Sequence, residues 1–324
     1  MSGFFLGTIR LAAVWEPLLH PLVRRLTTPT IAEINCDDCL MVKAGIYPLR
    51  AKCCNYVPDF PNFLAGEILS HGPSSPGHET VADWVEQGRG DPLFVYAPPR
   101  LTRKYRQAAD RGSRQALGCP LLDDNGRCSV YDHRPYLCVG HHCVYPGPSE
   151  VRAFFGCLAS LLALHTALVA QYLLIAQGID PDSFSDAWSQ VVDDRSVWSV
   201  HDQLDPGFSR ALWQGRADHA AYYRGCFEWI MQRRESVRGL IAEYRRNQLL
   251  RRADLSEAEK HRIRAQCSEP EAGRVPPEAH EVFMRDVLVF AQHRWTVTDH
   301  EGWLLWYHRR LVEQGVVAAA TAES

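Results

Sequence analysis

Apolar residues recur at helical spacing through most of the chain beyond Glu150, whereas between Cys36 and Pro148 no such period is sustained. Phe154 to Ala176 carries Leu158, Leu161, Leu162, Leu164, Leu168, Val169, Leu173 and Leu174, and it stops ahead of the breaker Gly178-Ile179-Asp180-Pro181. A stretch of that length is either a buried central helix or a membrane span. His165 and Gln171 interrupt it and no flanking group of Lys or Arg would orient a span, so the pattern predicts a core helix. Tyr222, Cys226, Trp229, Ile230, Val237, Leu240, Ile241 and Tyr244 then predict an amphipathic helix. Ser256 with Glu259 reads as a capping box, Pro276-Pro277-Glu278 as the start of another helix, and Asp299 as the cap of the last, which carries Trp303, Trp306, Tyr307 and Leu311. Ala318 to Ser324 reads as a frayed tail.

The first half is patterned differently. Phe4 to Leu26 shows roughly helical spacing broken at Pro17 and Pro21, which predicts one or two short amphipathic helices. Their polar face is not rich in Lys or Arg, so packing on the rest of the protein is expected rather than a membrane surface. From Cys36 to Pro148, Pro, Gly and Cys are dense, and Gly72-Pro73-Ser74-Ser75-Pro76-Gly77, flanked by His71 and His78, is a strong turn signal. Short helices such as Asn62 to Leu69 are expected between loops. The expected fold is mainly α: N-terminal helices and a loop-rich cysteine metal-binding module over residues 1–148, then a helical bundle over 149–324 packed on it. No repeat of 20 to 50 residues is visible.

With 46% hydrophobic and 23% charged residues among 324, the composition is that of a folded soluble protein. A net charge of -3 gives no global case for binding nucleic acid or an anionic membrane. The local exception is Arg233 to Arg264, where ten basic residues face five acidic ones; a solvated helix face is the expected reading, with nucleic-acid contact the lesser alternative. Gly88-Arg89-Gly90 is too short for a dinucleotide or S-adenosylmethionine loop, and no P-loop, Gly-x-Ser-x-Gly or His-Glu-x-x-His motif is present.

Cysteine placement changes the picture. Of eleven cysteines, Cys36, Cys39, Cys53, Cys54, Cys119, Cys128, Cys138 and Cys143 are concentrated in one stretch, leaving Cys157, Cys226 and Cys267 for the rest. Arg10 and Glu16 interrupt the opening apolar residues, which do not read as a secretory leader, so a cytoplasmic setting is expected. In a reducing compartment grouped thiols read as metal or redox groups before they read as disulfides. Cys36-x2-Cys39 places two thiolates about a turn apart, and Cys53-Cys54 adds a pair of which one at most suits a given four-ligand site. The turn at Asp124-Asn125-Gly126 could reverse the chain so that Cys119 and Cys128 converge. Cys157 and Cys226 fall on apolar helical faces as small hydrophobes, and Cys267 lies near a loop.

An N-terminal CxxC with a later CC, followed by Cys-Pro-x-Leu-x3-Gly-x-Cys-x-Val-Tyr-x-x-Arg-Pro-x-x-Cys from Cys119 through Arg134-Pro135 to Cys138, resembles the YkgJ-type cysteine-cluster family, described as a zinc- or iron-chelating domain. The resemblance covers roughly residues 30 to 148. It extends distantly to the flagellin lysine N-methylases, which implies that a catalytic iron-sulfur centre is conceivable. After Cys138 the chain leaves the family pattern: the usual Arg and Tyr-Pro-Phe are replaced by Val139-Gly140-His141-His142-Cys143, and the gap between CxxC and CC is longer than in compact members. His141 and His142 are therefore candidate extra ligands. Arg134-Pro135 is expected to fix the chain before Cys138, with Arg134 pairing to an acid or to the thiolate site. Four thiolates suit tetrahedral zinc or an iron-sulfur cluster, and eight suit one site with spares or two sites. The functional expectation is a metal-binding protein with a structural or electron-transferring cluster, its helical half serving as scaffold or as the face for a protein partner. A metalloenzyme, methyltransferase or oxidoreductase, is the alternative, and nucleic-acid contact through residues 233–264 a third reading.

Overall fold

The computed structural model describes residues 3–29, 40–45, 57–75, 77–110, 119–139, 148–189, 197–199, 201–265 and 296–318. Among these, strand is confined to two antiparallel ribbons, β1 (Phe4–Leu6) with β2 (Ile9–Leu11) and β3 (Phe60–Pro61) with β4 (Phe94–Val95). The rest of the regular structure is helical. The α-helices are α1 (Pro21–Arg24), α2 (Leu40–Lys43), α3 (Asn62–Ser70), α4 (His78–Glu86), α5 (Pro99–Asp110), α6 (Tyr136–Val139) and α7 (Ser149–Ala176). They continue with α8 (Pro181–Ser189), α9 (Pro206–Trp213), α10 (His219–Gln232), α11 (Val237–Leu250), α12 (Glu257–Ala265) and α13 (Val297–Glu313). The chain is mainly α, as its periodicity predicts.

Contacts group the chain into two compact units, each assembled from separated stretches: Ala32–Cys138 with Ala170–Gln232, and Ser2–Ile31 with Val139–Val169 and Arg233–Ser324. The compositional change near residue 148 falls inside the second unit's stretch. Helix α7 begins at Ser149, five residues ahead of the Phe154 expected from its apolar run. Among the described residues it is the one helix long and apolar enough to cross a membrane, and most of it is buried in the protein. Its interrupting residues divide: His165 is fully buried while Gln171 faces solvent.

In the first unit, α3 packs against α10 at very close range. Gly66 permits this, since a β-carbon there would lie 1.9 Å from the carbonyl oxygen of Tyr223. Phe60, Phe63, Leu64, Ile68, Tyr223 and Phe227 fill the core around the contact. The loop Gly90 to Phe94 crosses this core with its polar groups satisfied, as buried backbone requires. Trp213 Nε1 donates to Gly90 O at 3.0 Å, Tyr223 Oη to Asp91 O at 2.7 Å, and Asn62 Nδ2 to Pro92 O at 3.0 Å. Asp91 accepts from the amides of Leu93 and Phe94 through Oδ1, at 2.6 and 2.8 Å, and from the Tyr96 hydroxyl through Oδ2. Burial raises its carboxyl to about 6, against the opposing pull of those donors.

Three expectations about the N-terminal stretch and the later helices are corrected. Phe4 to Leu11 forms a hairpin instead of a helix, because Gly7 takes a φ of 58° in the connecting turn and lies so near Thr28 that a β-carbon would meet its amide nitrogen at 2.4 Å. Short helices follow only from Ala13, as a 3-10 segment Ala13–Leu18 and then α1. The single amphipathic helix expected from Tyr222 to Tyr244 is two, α10 and α11, parted at Arg233 to Ser236, where the apolar recurrence lapses between Ile230 and Val237. The cap of α13 is Thr296, whose hydroxyl accepts from Asp299 N at 3.2 Å while Asp299 reaches back to Thr296 N at 2.8 Å; Asp299 is the other half of that capping box. Ser256 and Glu259 form the capping box expected of them at α12. Glu301 of α13, fully buried, accepts from Arg238 Nη2 at 2.8 Å and from His20 N at 3.0 Å. The helix expected at Pro276 and the loop with Cys267 lie outside the described residues.

Candidate metal centre

The second cysteine block is a reversal followed by two tight turns. Asp123 Oδ1 accepts from the amides of Asn125 and Arg127, at 2.9 and 2.8 Å, and Gly126 takes a φ of 71°, so the chain turns back and Cys128 pairs antiparallel with Leu122. This is the expected reversal, with Asp123 as its organising side chain. A 3-10 turn, Tyr131–His133, leads to Arg134-Pro135 and to α6, which carries Cys138. Arg134 holds that corner by donating from Nε to Tyr131 O at 3.0 Å, with its guanidinium carbon 3.9 Å from the centre of the Tyr131 ring. It grips the backbone and an aromatic face where an acid or thiolate partner was expected.

Cys119, Cys128 and Cys138 are half-buried. Cys157 and Cys226 differ in kind: both are fully buried, and removal from water drives their thiols well above the ordinary range. They are core residues, as their helical faces predict. Cys36, Cys39, Cys53, Cys54, Cys143, His141 and His142 lie outside the described residues.

Beside the second block stands a group that the sequence reading passed over. Glu67 and His71 sit four residues apart on α3 and its C-terminal cap, hence on one helix face, and His133 closes the 3-10 turn inside the Cys128–Cys138 segment. Their potential ligand atoms all lie within 4.8 Å of one another. Glu67 Oε1 is 3.8 Å from His133 Nε2, and the two imidazole rings are 5.0 Å apart, centre to centre. Glu67 and His133 are 1% and 8% exposed, and His71 Nε2 is buried with no hydrogen-bond partner. Burial lowers the His71 pKa, which favours the neutral imidazole that binds metals.

Two glycines set this approach. Gly72 and Gly77, at φ of 77° and 78°, turn the chain from α3 into α4. Gly77 also abuts the cysteine block: a β-carbon there would meet Val130 Cγ1 at 2.3 Å. The turn is thereby seated on the residues just before His133. Spacing alone could have flagged Glu67-x3-His71, but nothing local links it to His133, 62 positions further along.

The second unit holds a cleft of about 860 Å³ lined by residues including Glu16, His20, Arg24, Arg234, Arg238 and Arg246. Its charges are largely matched internally: Glu16 pairs with Arg24 and Arg234, and Arg238 with Glu301. Along the basic stretch, Arg252, Lys260, Arg262 and Arg264 also have carboxylate partners, so six of its ten cations lie within ion-pair distance of a carboxylate, Lys260 and Arg264 sharing Glu257. Comparison with family models, with curated proteins and with solved structures finds no match to this chain.

Proposed function

We propose that the protein binds metal through its clustered N-terminal cysteines, holding an iron-sulfur cluster or zinc, in a cytoplasmic setting. The observation that carries this reading is the contrast between two sets of thiols. Cys119, Cys128 and Cys138 are half-buried and set in the short turns of the second block, whereas Cys157 and Cys226 are sealed in apolar cores. Half-buried thiols can shed a proton to a metal, while sealed ones are held protonated. The spacing of the second block, its resemblance to the YkgJ-type pattern, and Cys36, Cys39, Cys53, Cys54 and Cys143 supply the remaining donors. The candidate ligand set is thus Cys36, Cys39, Cys53, Cys54, Cys119, Cys128, Cys138 and Cys143. Substitution tests the assignment: Cys39→Ser or Cys138→Ser should lower metal content and stability, while Cys267→Ser changes neither. Equal effects from all three would refute it.

A further inference from the structure

We infer that Glu67, His71 and His133 form a second metal site, taking a divalent first-row ion such as Zn2+ through nitrogen and oxygen ligands and distinct from the thiolate site. Two imidazoles and a carboxylate are an established donor set for zinc and for ferrous iron. Donors about 2.0–2.1 Å from a tetrahedral ion stand about 3.3 Å from one another. The 3.8 Å between Glu67 Oε1 and His133 Nε2 exceeds that by a margin that small side-chain rotations close. It is longer than a hydrogen bond and within the range of an ion pair. The carbonyls at the C-terminal end of α3 add negative potential beside His71, and the buried His71 Nε2 gains a partner when an ion enters. Three protein ligands leave at least one coordination position for water. Among the described residues no cysteine belongs to the group, and the inference does not depend on the thiolate reading.

Cobalt separates the two sites, because thiolate ligation produces intense charge-transfer absorption and nitrogen–oxygen ligation does not. Full-length protein isolated without oxygen and titrated with Co2+ should show a population with ligand-field bands but no thiolate charge transfer. That population should weaken at least tenfold in His71→Ala, His133→Ala and Glu67→Gln, since loss of mere supporting groups around a metal already costs roughly 10–100-fold. Any thiolate-bound signal should persist in all three variants. Unaltered Co2+ binding in the variants would overturn the inference, leaving a buried Glu67–His133 ion pair as the group's whole role. Joint loss of both signals from folded variants would overturn it too, as the mark of one mixed site. If the variants fail to fold, X-ray absorption of the zinc-loaded protein carrying His141→Ala and His142→Ala decides: imidazole scattering supports the site, and a sulfur-only shell excludes it. Absence of the thiolate signal with the nitrogen–oxygen population intact would instead remove the thiolate reading and leave this one standing.

Discussion

Replacing Gly66 by alanine tests the packing on which the α3 residues depend. In an isolated helix this change stabilises, by about 1 kcal/mol. Here the added carbon would sit 1.9 Å from the Tyr223 carbonyl oxygen and 2.7 Å from its carbon, both of them backbone atoms of α10. Carbon and carbonyl oxygen settle no closer than about 3.3 Å, so the helices must part by about 1.4 Å or bend. Overpacking costs about 1–3 kcal/mol, and a clash with backbone belongs at or above the top of that range. The net destabilisation is therefore about 2 kcal/mol, a fall in melting temperature of about 4–8 °C at the about 2–4 °C per kcal/mol of larger domains. Gly239 in α11 is the control, because a β-carbon there meets nothing within 4 Å; Gly239→Ala should stabilise by about 0.5–1 kcal/mol. Paired urea and thermal melts of the two variants read the difference. A Gly66→Ala protein as stable as the wild type would refute the close helix contact and, with it, the placement of Glu67 and His71.

Further outcomes concern buried charge. Glu301→Ala removes the buried carboxylate to which Arg238 and the His20 amide donate and should cost about 3–5 kcal/mol, most of it recovered when Arg238→Met is combined with Glu301→Leu; a single-variant loss below about 1 kcal/mol in denaturant melts would count against the pair. Asp91, raised to about 6 from 3.8, binds its proton more tightly in the folded state, so it depresses stability as pH rises from about 4 to about 6. The stability gap between wild type and Asp91→Asn should accordingly shift toward the variant by about 2 kcal/mol between pH 4 and pH 7, at about 1.4 kcal/mol per pKa unit; a pH-independent gap would mean that the bonds from Leu93, Phe94 and Tyr96 fully offset burial.

Elements set by local chemistry were legible in advance. The α3 segment, the α7 core helix, the Ser256–Glu259 box and the Asp123–Gly126 reversal each follow from period, cap or turn residues within a few positions of each other. The hairpin at Phe4 to Leu11 was not legible, because its few apolar residues fit both periods and its decisive feature, the approach of Gly7 to Thr28, is a tertiary contact. The α10–α11 break was written in the polar run Arg233 to Ser236, which the flanking apolar residues on either side masked. Eight cysteines make sulfur the dominant local signal, and the paired imidazoles carry none of their own: His71 resembles a turn flank, and His133 sits in a motif whose recognisable residues are Cys, Arg and Pro. Their convergence depends on Gly77 closing against Val130, which no local pattern encodes.

The central claim, a metal held by clustered thiolates, is tested most directly by composition. Protein purified in the absence of oxygen and assayed for iron, zinc and acid-labile sulfide should carry at least one metal equivalent that falls in Cys39→Ser and in Cys138→Ser. Acid-labile sulfide accompanying the iron would specify a cluster, and zinc without sulfide a tetrahedral site. Metal-free protein with undiminished stability would contradict the claim.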